Sequence, residues 1–158
     1  MLILGIETSC DETAAAVVEN GDTLLSTVVA SSMDLHAQYG GVVPEVAARS
    51  HIEAIDRVIN QALSDAGCTW DDIDAIAVTY GAGLGGCLLV GVLAARTAAI
   101  IHKKPLYACN HVEGHVYSNF LLKSGDESGL VSGKQYSFPA VAPEFPLLAL
   151  IVSGGHSQ

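Results

Sequence analysis

The chain opens on an apolar run, LILGI (residues 2–6), breaks on the polar knot ETSCDE (7–12), and resumes with TAAAVVE (13–19). Apolar runs on both sides of a short polar break predict a β-hairpin whose turn points its side chains and amides outward. Asn20 and Gly21 mark a second turn, and TLLSTVVASS (23–32) supplies a third strand, so an antiparallel meander begins the domain.

DLHAQYGGVV (34–43) reads as a Gly-broken loop, after which Pro44 falls where the first turn of a helix tolerates it. Val46, Ile52, Ile55, Val58, Ile59, Ala62, Leu63 and Ala66 then recur at spacings of three and four until Gly67. This pattern predicts an amphipathic helix of about six turns laid on one sheet face. DAIAVTY (74–80) is short and continuously apolar, as expected of a strand buried on both faces, and runs through GAGLGG into the helical stretch CLLVGVLAARTAAII (87–101). PLYACN (105–110) predicts another buried strand feeding a helix over NHVEGHVYSNFLL (110–122). Residues 123–144, polar and carrying Pro139 and Pro143, predict a long exposed, mobile loop, and FPLLALIVSGGHSQ (145–158) a strand ending in a Gly pair.

Composition and charge refine this picture. At 50% apolar residues and a mean hydropathy of +0.40, the chain is more apolar than a free-standing domain of 158 residues needs, which points to tight packing or a partner face. The longest apolar stretch, 86–101, is interrupted by Arg96 and falls short of the roughly 20 residues of a spanning helix. The first residues carry no basic region ahead of their apolar run, so neither a membrane span nor a secretion signal is expected. Seventeen acids against seven bases give a net charge of −10, which removes the electrostatic attraction that dominates nonspecific nucleic-acid binding. If the chain acts on RNA, another component holds the RNA. The four cysteines, Cys10, Cys68, Cys87 and Cys109, are widely spaced without a CxxC pair and read as reduced thiols of a cytoplasmic protein.

The candidate chemistry begins with HVEGH (111–115). On a helix, positions i and i+4 differ by about 40° in azimuth and about 6 Å along the axis, so His111 and His115 share a face and can converge on one ion. Neutral imidazoles suit Fe and Zn. Glu113 lies on another face, unlike the Glu of HExxH zinc peptidases, and two ligands fall short of the usual three. A bare HxxxH also suits two satisfied surface histidines. YGAGLGGCLLVG (80–91) places glycines between strand and helix, where backbone amides can meet a ligand, although it fits neither the dinucleotide nor the Walker fingerprint and serves equally as a tight crossover. ETSCDET and VSGGH each read alone as a polar turn. Together the three follow apolar strands and could face one crevice.

GIETSCDET (5–13), YGGVVPEVAAR (39–49), GAGLGGCLLVG (81–91), NHVEGH (110–115) and LIVSGGHSQ (150–158), in that order, resemble the family of tRNA threonylcarbamoyladenosine-forming transferases, formerly labelled O-sialoglycoprotein endopeptidases. The resemblance covers the whole chain and about the first half of the family's length. It implies an α/β fold of the actin, Hsp70 and sugar kinase (ASKHA) class: a ribonuclease-H-like lobe over 1–145, a mixed sheet flanked by helices, and the first strand and Gly turn of a second lobe over 146–158. It implies transfer of threonylcarbamoyl from its adenylate to the exocyclic amine of the adenosine beside the anticodon of ANN-reading tRNAs. His111 and His115 match the ligands of an Fe(2+) or Zn(2+) ion, with an aspartate from the missing half as third ligand. Ile151, Val152, Ser153, Gly154 and Gly155 match the stretch that contacts threonylcarbamoyl-adenylate, with His156 flanking it, and Ser9, Asp11 and Glu12 lie where the family's fold places groups near the phosphate. The implied partners are tRNA held by a multiprotein assembly, a smaller paralogous subunit and, in bacteria, an ATPase; the high apolar content separately suggests a dimer through apolar faces. Two departures stand out: Ala82 where the family commonly has Pro, and a longer 123–144 segment. The remaining alternatives are a catalytically silent partner scaffold of the same fold and, ranked below it, a metallopeptidase. Residues 1–158 alone are expected to be inactive.

Overall fold

The computed structural model describes residues 1–123, 130–131, 134–135 and 143–151. Strands β1 (Leu2–Glu7), β2 (Glu12–Glu19) and β3 (Thr23–Ser31) form the expected meander, with Leu4 opposite Val17 and Ala15 opposite Val28. Asn20 and Gly21 turn β2 into β3 with φ of 54° and 89°, the left-handed conformation that this pair tolerates best. β4 (Ala75–Gly81) adds parallel to β1, and β5 (Leu106–Asn110) parallel to β4. The two-residue β6 (Leu122–Lys123) closes the other edge beside β3, giving the order β5-β4-β1-β2-β3-β6.

After β3 comes α1 (Met33–Ala37), then the long α2 (Pro44–Asp65), and α3 (Gly85–His102) links β4 to β5. The buried stripe of α2, Ala47, His51, Ala54, Ile55, Val58, Ile59, Ala62 and Leu63, follows the predicted period. The helix stops where Gly67 takes φ of 67°, with Gly67 N–H donating to Ser64 O and Cys68 N–H to Leu63 O, a Schellman cap. Both α2 and α3 pack on one face of the sheet, against Leu4, Ile6, Ala15, Val17, Ile76 and Val78. The opposite face presents small residues, Gly5, Ala14, Ala16 and Ala77, along a shallow apolar trough.

Six expectations need correction. The loop expected at 34–43 holds α1, because Ser32 and the buried His36 give that segment internal partners. Ile52, counted on the buried stripe of α2, is 64% exposed. β5 is an exposed edge strand rather than a buried one, since it pairs on one side only. The helix expected over 110–122 is α4 (His111–Tyr117) followed by a single 3-10 turn (Ser118–Phe120), because Ser118 and Asn119 side chains take the carbonyls of His115 and Val116. The segment 123–144 contains a small hairpin, β7 (Leu130–Val131) and β8 (Lys134–Gln135), its other expected features lying mostly outside the described residues. Residues 145–151, the described part of the strand expected over 145–158, form no strand.

Candidate functional site

The site forms at the end of the sheet where β1, β4 and β5 finish. β5 delivers Asn110 as the N-cap of α4: its side-chain oxygen accepts from Val112 N–H at 2.8 Å and Glu113 N–H at 3.3 Å. That cap fixes where the helix begins, and so sets His111 in its first turn with His115 one turn on. The two rings meet edge to face, centroids 4.6 Å apart at 80°, with their Nε2 atoms 3.1 Å apart. Two imidazole nitrogens at this separation sit as neighbouring ligands of one tetrahedral ion would. Among the described residues no third His, Cys, Asp or Glu joins them to complete a ligand group.

Glu7, the last residue of β1, approaches His111 from the other side. Its Oε2 lies 3.3 Å from His111 Nδ1, and Ser9 Oγ lies 3.2 Å from the same nitrogen. Burial pushes the Glu7 carboxyl up, but hydrogen bonds from Ser9, Thr79 and His111 outweigh it and hold the group below the usual carboxylate range. Glu7 is therefore an anion at neutral pH, with the Ser9 backbone N–H also bound to it.

The hairpin turn between β1 and β2 is tied down at four successive residues, each by a different element. Thr8 Oγ1 donates to Cys87 O of α3 at 2.9 Å, and Ser9 O accepts from Leu84 N–H of the Gly loop at 2.8 Å. Cys10 O lies 3.0 Å from Nε2 of the fully buried His51 on α2. A carbonyl can only accept, so His51 carries its proton on Nε2, and Nδ1 accepts from Thr13 Oγ1 at 2.7 Å. Asp11 O accepts from both the N–H and Oγ–H of Ser32, whose hydroxyl also meets His36 Nε2.

The Gly loop and α3 fit against this turn because Gly83 and Gly91 carry no side chain. A Cβ on Gly83 would stand 2.6 Å from Ser9 O, and one on Gly91 would stand 2.3 Å from Thr8 Oγ1. Ser9, Cys10, Ala82, Gly83, Leu84 and His111 then line one small cavity, so the hairpin turn and the Gly loop meet beside His111, while the VSGGH turn expected to share their crevice lies outside the described residues. Asp11 and Glu12 do not line it, and Glu12 is exposed at the start of β2. Ile151 shares a neighbouring groove with His115. Val152, Ser153, Gly154, Gly155 and His156 lie outside the described residues. Glu113 is exposed, and all four cysteines are free thiols. Each thiol is pushed up, by burial first, so none is an activated nucleophile.

Sequence reasoning passed over Glu7, His51 and Thr79. Glu7 had one available signal, an acid ending an apolar strand directly before a polar turn. His51 on an apolar helix stripe reads as an ordinary core residue, and nothing local distinguishes Thr79.

Comparison with known proteins places these residues in context. The family model described as tRNA N6-adenosine threonylcarbamoyltransferase matches residues 23–142. Curated proteins of that name from Caldicellulosiruptor bescii and Thermomicrobium roseum are 49% and 51% identical over all of this chain, which spans 42% and 40% of their lengths. Among solved structures, YeaZ from Pseudomonas aeruginosa matches with a TM-score of 0.51 at 18% identity, covering 70% of this chain and 45% of that one, a likeness of ribonuclease-H-like fold alone. The matched model, the identity across the chain and the mixed sheet under α2 and α3 agree, and this chain belongs to the tRNA N6-adenosine threonylcarbamoyltransferase family.

Proposed function

We propose that this chain provides the metal-holding lobe of an enzyme that transfers threonylcarbamoyl from its adenylate to the exocyclic amine of the adenosine next to the anticodon of ANN-reading tRNAs. The observation that carries the reading is the convergence of His111 and His115 Nε2 at 3.1 Å, beside the crevice formed by the hairpin turn and the Gly loop, in a chain of this family. An Fe(2+) or Zn(2+) ion held there, with a third ligand from beyond the described residues, would supply Lewis-acid polarisation of the acyl group or phosphate.

In the transfer itself, a bond forms between the adenosine amine and the carbamoyl carbon, the bond from that carbon to the phosphate oxygen breaks, AMP leaves, and the amine gives up a proton. The residues of this chain bind and orient. Ser9 and the Gly loop border the space beside His111, and the amides of Ser153 to Gly155 are assigned to the carboxylate or carbonyl end of the substrate. Glu113, exposed and pointing off the histidine face, offers no base for a peptidase mechanism.

The reading also assigns a subunit contact. α3 is long and apolar enough, by composition, to cross a membrane, yet Cys87, Gly91, Ala95 and Ala99 bury one stripe of it against the fold. Its outer side leaves Leu89, Leu93, Ile100 and Ile101 more than half exposed, and a groove between α3 and α2 runs past Asp56, Leu93 and Ile101. The smaller paralogous subunit is the proposed occupant, with tRNA and the ATPase subunit joining through the same cytoplasmic assembly. Such a face equally suits a silent scaffold, which has no use for the histidine pair.

Replacing His111 and His115 by Ala in the chain at its natural length tests the reading. Bound metal should be lost and threonylcarbamoyl transfer should fall by at least about 100-fold. Stoichiometric metal retained in the double variant would refute the ligand assignment. Purified residues 1–158 should show no turnover, and measurable transfer by them would overturn the view that the rest of the site comes from elsewhere.

A further inference from the structure

We infer that Glu7 is the positioning residue of the histidine pair: its carboxylate holds the proton of His111 on Nδ1 and so aims Nε2 at the point shared with His115. The inference rests on the metal-ligand reading above and adds a role for a residue outside the HVEGH motif.

The geometry has three parts. Glu7 Oε2 faces His111 Nδ1 at 3.3 Å, while His111 Nε2 faces His115 Nε2 at 3.1 Å, so the two ring nitrogens are committed to opposite sides. A carboxylate accepts and does not donate, which makes Nδ1 the protonated nitrogen and leaves a lone pair on Nε2. A histidine that donates one ring N–H to a carboxylate gains a fixed orientation and a more basic ligand nitrogen.

Glu7 is also well placed to be rigid. It ends β1, paired to β2 at Ala14 and lying beside β4, and its other oxygen is occupied by the N–H of Ser9. Thr79 on β4 donates to the same carboxylate. The side chains of Glu7 and His111 are 33% and 21% exposed, enough shielding to keep the contact from being an ordinary surface ion pair. Ser9 Oγ, at 3.2 Å from Nδ1, is the competing partner, so Ser9→Ala serves as its control.

The experiment uses the chain at its natural length with Glu7→Ala, Glu7→Gln, Ser9→Ala and the double His111→Ala, His115→Ala variant. Affinity for Zn(2+) is measured by competition with a chelator, and the imidazole tautomer of the metal-free protein by long-range proton–nitrogen NMR. His111 should be the Nδ1–H tautomer in the parent and lose that preference in Glu7→Ala, with Zn(2+) affinity down about 10- to 100-fold. Glu7→Gln keeps an acceptor without the charge, so it should retain the tautomer and lose less affinity. Because it is nearly isosteric, it decides the matter if Glu7→Ala fails to fold. A parent protein with the proton on Nε2, or unchanged affinity in both Glu7 variants while the double histidine variant is metal-free, would overturn the role of Glu7 alone. Loss of affinity in Ser9→Ala but in neither Glu7 variant would move the role to Ser9. Metal retained by the double histidine variant would remove the ligand reading and this inference with it.

Discussion

The two turns of the opening meander lie at opposite ends of the same strands and are held in opposite ways. At the far end, Asn20 and Gly21 reverse the chain through their own backbone preference, helped by Met1, the neighbour across the strand. At the site end, Thr8, Ser9, Cys10 and Asp11 have no such local preference and are fixed by α3, the Gly loop, α2 and Ser32 in turn. The first kind of turn only has to close a hairpin. The second has to hold Glu7 and Ser9 at hydrogen-bonding distance from a histidine more than a hundred positions away, and distant elements supply that constraint.

The contrast breaks most sharply at His51. Its side chain is fully buried and satisfies Cys10 O and Thr13 Oγ1 together. His51→Ala should leave a cavity, the buried Thr13 hydroxyl without its partner and the part-buried Cys10 carbonyl unpaired, lowering stability by about 3 kcal/mol in chemical denaturation. A loss below about 1 kcal/mol would mean that the site turn stands without its helix clamp. Gly83→Ala attacks the same turn from the other side. Its new Cβ would meet backbone, Ser9 O at 2.6 Å, so the loop or the turn must shift, at a cost of about 2 kcal/mol. NMR shifts at Ser9 and His111 should move with it, and unchanged shifts there would show that the loop yields alone.

These differences explain what the sequence revealed. β1 to β3, α2 with its glycine stop, and α3 announce themselves because alternation, helical period and turn residues are local signals, and the Asn20 and Gly21 turn is of that kind. The HVEGH pair was equally legible, since four residues on one helix fix their own geometry. Glu7 and His51 were not, because their roles exist only once β1 lies beside β4 and α2 lies under the hairpin. The same reasoning covers β5. Its apolar residues specify a strand but not the presence of a neighbour, and the order of the sheet puts it at an edge. Residues 145–151 show the same limit, since apolar character without a pairing partner does not make a ladder, and the rest of the strand expected over 145–158 lies outside the described residues.

At the far end the expected effects are smaller and stay local. Gly21 has φ of 89° and open space around it, so Gly21→Ala meets only the backbone cost of a left-handed conformation, about 1 kcal/mol. The NMR shifts of Glu7, Ser9 and His111 should not change. If they did, the two ends of the meander would be mechanically coupled through β1 and β2, and the distinction drawn here would fail.

The smallest effect is electrostatic, in the turn between α2 and β4 at this same end. Asp72 Oδ2 accepts from Thr69 N–H at 2.8 Å and from its hydroxyl at 2.7 Å, and these bonds hold the carboxyl below its ordinary value. A folded-state value below the unfolded one means that the contribution is fully present above the ordinary carboxylate range and is lost as pH falls through the folded value. Asp72 is fully exposed, so solvent screening keeps the contribution small. Asp72→Asn should therefore lower stability slightly at pH 7, with the gap to the parent closing in acid as the parent's own carboxylate is protonated. Thermal melts of the two proteins across the acid range measure this convergence, and a gap that widened toward low pH would reverse the assigned sign.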